Sequence, residues 1–156
     1  MLLAAYLDTG YKVMVFLHIL SFIVAFAPVF VWPFVSMGVS RQGGDETAVA
    51  KLAAGWTAKV YGPALAVGGL LGFGIAGMSK PEGADKGIYS MSDPWLSAAA
   101  VVWLLLLGIY FGLIAPAEKK AAQGDTSVVK LLSMANGIVH LLAAVALYLM
   151  VFKPGA

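Results

Sequence analysis

The chain has 156 residues, of which 61% are hydrophobic and 12% charged, with a mean hydropathy of +0.89 and a formal charge of +2. A soluble domain carries about 45–50% apolar and about 25% charged residues, so this composition excludes a soluble globular domain, and the few basic residues sit beside apolar runs, where they suit lipid phosphates rather than nucleic acid. With no cysteine, disulfides, thiol catalysis, iron–sulfur clusters and thiolate metal sites are also excluded.

In chain order, Met1 to Leu7 is apolar and breaks at Asp8-Thr9-Gly10, which places it at a membrane interface with Asp8 or Thr9 capping a first helix. The first long apolar run is Tyr11 to Met37. It lacks a preceding basic region and an A-x-A site, so it reads as an uncleaved span. Pro28 and Pro33 each remove a backbone donor from its second half, and Trp32 reads as an interfacial anchor. Ser40 to Gly44 is a turn and Asp45 a cap. Beyond it, Val49, Leu52, Ala53 and Trp56 recur at helical spacing. Two readings stand here: an amphipathic stretch lying on the membrane, or an N-terminal extension of the next span.

The second run, Tyr61 to Met78, is rich in glycine. Gly68, Gly72 and Ala76 form a small-xxx-small ridge, which permits close backbone approach. The ridge can pack another helix or make room for a flat cofactor. A polar loop from Ser79 to Pro94 follows, with Asp93-Pro94 as a helix start. The third run, Trp95 to Ala115, stops at Pro116, and a charged segment, Glu118 to Gln123, leads to Gly124-Asp125, a stop followed by a cap. The fourth run is Val128 to Phe152.

A transmembrane helix needs ~20 mostly apolar residues to cover ~30 Å of hydrocarbon. Four such runs, over residues 11–37, 61–78, 95–115 and 128–152, predict an all-α polytopic membrane protein, one integral membrane domain over residues 1–156 folded as an antiparallel bundle of four helices. Loops one and three carry six lysines and arginines, against four on the N-terminus, loop two and the C-terminus. The positive-inside rule then puts both termini on the outer side of a bacterial cytoplasmic membrane.

His18 and His140 are the ionisable imidazoles inside these runs, and polar groups at bilayer depth are functional-site candidates by default. Counted from the outward ends of antiparallel helices, their depths differ by ~5–8 Å. That permits two axial ligands on one b-type haem, since neutral imidazole ligates haem iron and bundle cores build such sites from facing side chains. Ser133, Asn136, Gly137, His140 and Ala144 share one face, and His18, Ser21, Phe22 and Ala25 another. Asn136 or a serine would hold the second imidazole nitrogen. Single ligation by either histidine stays open, as does a purely structural role in which each donates a hydrogen bond between helices. Two histidines alone make a poor cage for a bare metal. No carboxylate lies within the four runs, and no phosphate loop or serine-nucleophile motif appears, so no catalytic residue is expected.

The run Phe16-Leu17-His18-Ile19-Leu20, a basic residue soon after the first span, and the ending Leu149-Met150-Val151-Phe152-Lys153-Pro154 resemble a family of uncharacterised bacterial four-helix membrane proteins. That family is itself similar to copper-resistance D proteins and to membrane-bound, haem-containing protoporphyrinogen oxidase. The resemblance implies haem binding at His18 and a role in copper passage. The oxidase type also uses a third-span lysine, and Trp95 to Ala115 contains none. The expectations are therefore a small b-haem protein in electron transfer or haem handling, with His18 and His140 as ligands and Gly68 and Gly72 making room for the ring. The alternatives are a cofactor-free accessory subunit of a larger respiratory or photosynthetic membrane complex, and copper passage.

Overall fold

The computed structural model describes residues 8–79 and 88–155. The expectations for Met1 to Leu7 and for Lys80, Glu82, Asp85 and Lys86 in the second loop lie outside the described residues. Four helices are long and apolar enough to cross a membrane: α1 (Thr9–Arg41), α2 (Glu46–Met78), α3 (Pro94–Ala121) and α4 (Thr126–Phe152). They are longer than the apolar runs. The α1 helix continues through both Pro28 and Pro33 to Arg41, so each missing donor costs one backbone bond without ending the helix.

Of the two readings before span two, the extension holds. Glu46–Trp56 runs into the span through a π-helical turn at Thr57–Tyr61, closed by Gly62 N–H donating to the Thr57 carbonyl. A second π turn, Tyr110–Ile114, is closed in the same way by Ala115 N–H on the Tyr110 carbonyl, and α3 then carries on past Pro116 to Ala121. Each π turn is closed by the residue immediately before a proline, Gly62 before Pro63 and Ala115 before Pro116. A proline ring crowds the carbonyl four residues back and offers no N–H. One extra residue in the turn re-spaces the ladder and lets the helix continue.

The connections follow their caps. Gly43 (φ +67°) and Gly124 (φ +89°) take the left-handed conformation after α1 and α3. Gly44 N–H donates to Val39 O, Gly43 N–H to Ser40 O, Asp125 N–H to Lys120 O and Gly124 N–H to Ala121 O, the paired bonds of a Schellman stop. Asp45 then caps α2 through Thr47 and Ala48 N–H. Asp125 caps the opening 3-10 turn of α4 through Ser127 N–H and Oγ. We call the end carrying these two turns the hairpin end, and the other, with Asp8, Ser79, Tyr89 and Lys153, the terminal end.

The α1 and α2 helices pack along most of their length, and α3 packs mainly on α4. Lipid supplies no hydrophobic drive for helices to associate, so packing and interhelical hydrogen bonds hold the bundle. Three side chains donate to backbone carbonyls of other helices: His18 Nδ1 to Gly68 O at 2.7 Å, Trp103 Nε1 to Leu65 O at 2.8 Å, and Tyr110 Oη to Ala25 O at 2.6 Å. They tie α1 to α2, α3 to α2 and α3 to α1, and bonds of this kind average ~0.6 kcal/mol each.

Candidate functional site

The glycines of α2 are used for packing. A Cβ on Gly68 would meet the Phe22 ring at 3.2 Å, one on Gly72 would meet His18 Cε1 at 3.0 Å, and one on Gly69 would overlap the Trp103 indole. The ridge is thus filled by side chains of α1 and α3, and the space expected beside Gly68 and Gly72 for a flat ring is occupied by the protein itself.

The two histidines do not face each other. His18 sits against Gly68 and Gly72, with its ring edge-on to Phe22. His140 packs edge-on against Phe30, at 4.4 Å between centroids. Phe30 lies twelve residues beyond His18 on α1, about 18 Å along the axis. Two ligands of one iron would need their nitrogens within about 4 Å, twice a metal–nitrogen bond. Helical side chains lean toward their own N-terminus, so on antiparallel helices His18 leans toward the terminal end and His140 toward the hairpin end. The similar depth read from residue counts therefore does not become proximity, and these residues do not fit a shared haem.

Asn136 does hold His140, through its backbone: the Asn136 carbonyl accepts from His140 Nδ1 at 2.8 Å. A carbonyl only accepts, so both imidazoles carry their proton on Nδ1. Among the described residues neither Nε2 atom has a hydrogen bond, and neither is sealed inside the bundle. Among the described residues no three His, Asp or Glu side chains are grouped to hold a metal ion.

A different cluster forms near the hairpin end. The charged segment Glu118 to Gln123 reads as a connection in the sequence, but Glu118 lies on α3 with 9% of its surface exposed. Thr57, 4% exposed and the first residue of the α2 π turn, lines the same cavity as Glu118. Glu118 Oε2 is buried with no hydrogen-bond partner, and so is Trp32 Nε1. Both side chains line one small cavity of about 20 Å³, together with Pro28, Thr57, Tyr110 and Asn136. Both π turns reach it, one through Thr57 and the other through Tyr110 and Ile114, and π turns recur at functional sites. In the sequence the signal was Pro63 and Pro116, each at a helix interior rather than at a boundary.

No known protein family, curated protein or solved structure matches the chain.

Proposed function

We propose that the chain is an accessory subunit of a bacterial cytoplasmic membrane that acts by docking its helices against another membrane protein, with the hairpin end inside and no porphyrin within its own bundle. The observation that carries this reading is on α3. Gly108 and Gly112 are exposed, and a Cβ on either would meet nothing within 4 Å. Such a pair, four residues apart, lets a second helix approach closely. The ridge on α2 is satisfied by the chain's own side chains, whereas this one is bare and flanked by the exposed Leu104, Leu105 and Phe111.

Substituting Gly108→Ile together with Gly112→Ile tests the reading. Association measured by cross-linking in native membranes should fall by at least tenfold while the thermal unfolding of the chain stays as in wild type. Unchanged association overturns it.

A second reading is favoured by one observation: both Nε2 atoms are unpaired while Nδ1 is fixed by a carbonyl, the way ligating histidines are oriented. A b-type haem would then sit on the outside of the bundle, held by His18 or His140 alone. A reduced-minus-oxidised absorption spectrum separates the two, because a porphyrin band lost in His18→Ala or His140→Ala supports the haem and displaces the docking reading. Copper passage predicts bound copper without a porphyrin band.

A further inference from the structure

We propose that the cavity between Trp32 and Glu118 is a proton-exchange site, in which one water joins the Trp32 indole N–H to Glu118 Oε2 and the carboxyl group takes and gives its proton through that water toward the hairpin end. The inference does not depend on what docks against α3.

The cavity has the size and the chemistry for that occupant. A volume of about 20 Å³ exceeds the ~10–15 Å³ one water needs. A buried water requires two to four polar partners, and Trp32, Glu118 and Asn136 all line the cavity, the first two carrying the unpaired Nε1 and Oε2. The indole is a donor only, so its partner must accept. A carboxylate is an acceptor only and a carboxylic acid can donate, and water serves either form. Two buried orphans of complementary type beside one gap of this size specify water rather than a metal ion, which the indole N–H would oppose.

Burying a charged carboxyl without a cation is costly, and such groups hold a proton instead. Among the described residues no lysine or arginine is paired with Glu118. The basic groups on the elements packed around it, Lys51 and Lys59 of α2, Lys130 of α4 and Arg41 at the end of α1, are all exposed. Glu46 is exposed as well, and Tyr61, Tyr110 and His140 are the other titratable side chains on the neighbouring elements. Tyr110 has already spent its proton on the Ala25 carbonyl. In the exchange, the carboxyl O–H bond breaks as a new O–H bond forms on the water, which passes one of its own protons outward; no electrons are transferred. Glu118 is three residues from the end of α3, so the path to the aqueous surface is short.

The test is the infrared carbonyl band of a protonated carboxyl, recorded on the full chain in lipid nanodiscs at neutral pH in H2O and D2O. Wild type should show the band and shift it in D2O within minutes, Glu118→Gln should lose it, and Trp32→Phe should keep it at a changed frequency because one donor to the water is gone. The proposal is overturned if wild type and Glu118→Gln give the same spectrum, or if the band ignores D2O. Should Glu118→Gln fail to insert, Trp32→Phe decides alone: a band unmoved in frequency refutes the bridging water.

Discussion

The two ends of the bundle handle their polar groups differently. At the terminal end they satisfy one another. Buried Ser79 donates from Oγ to Ala76 O and accepts from Tyr89 N–H, while its own carbonyl accepts from Ile88 N–H. Lys153, in the left-handed conformation after α4, donates to Tyr89 Oη at 2.9 Å and lies over the Tyr89 and Trp95 rings. One orphan remains there among the described residues, Trp95 Nε1. At the hairpin end, Pro28 of α1, residues of both π turns, and the side chains that carry an unpaired indole N–H and an unpaired carboxylate oxygen meet at one gap. A sealed end needs its bonds made internally, and an end that leaves complementary orphans together is arranged to accept a partner.

The sharpest way to break this comparison is at the α2 π turn. Gly62→Val would place a Cβ 2.7 Å from the Phe111 ring, and overpacking of that kind should cost about 1–3 kcal/mol or more, read as a lower unfolding midpoint in detergent. A smaller loss is expected from Ser79→Ala at the other end. It removes the hydroxyl that donates to Ala76 O and accepts from Tyr89 N–H, and a hydrogen bond of this kind contributes about 0.5–1.5 kcal/mol. Trp32→Phe should change stability by less than about 1 kcal/mol, because it deletes an indole N–H that has no protein acceptor. If the hairpin end were internally satisfied like the terminal end, Trp32→Phe and Ser79→Ala would cost the same.

The smallest effect belongs to Asp125 in the third connection. Hydrogen bonds from Ser127, chiefly its hydroxyl, hold this fully exposed carboxyl below its ordinary value of 3.8. A lowered folded value means the stabilisation is present above 3.8 and disappears as the pH falls through the lower, folded value. Unfolding followed from neutral pH into strong acid should show a shallow loss in that window, absent in Asp125→Asn and in Ser127→Ala.

Much of this bundle was written in its residues. Four apolar runs, the caps Asp8, Asp45 and Asp125, and the stops at Gly43 and Gly124 rest on local rules that the tertiary structure left alone. Asp93 departs in detail, since its side chain accepts from Ser90 N–H rather than from the helix it precedes. The helix lengths were less legible, because Pro116 punctuates a sequence as a break and only a π turn, a tertiary accommodation, carries the helix past it. For the same reason Glu118 read as a loop residue when it is a buried one. The placement of the histidines was not legible. Residue counts give depth along an axis, but not that His18 and His140 lean in opposite directions, nor that the ridge beside His18 is filled by Phe22 and Trp103.

Hydrogen–deuterium exchange of two indoles tests the account most directly. Trp103 Nε1–H is bound to the Leu65 carbonyl, whereas Trp32 lines the cavity and its Nε1–H has no acceptor among the described residues. In nitrogen-15-labelled protein held in nanodiscs, the Trp32 indole proton should exchange within minutes and that of Trp103 should persist for hours. Equal protection of both would mean that no water reaches Glu118, and that the hairpin end is as closed as the other.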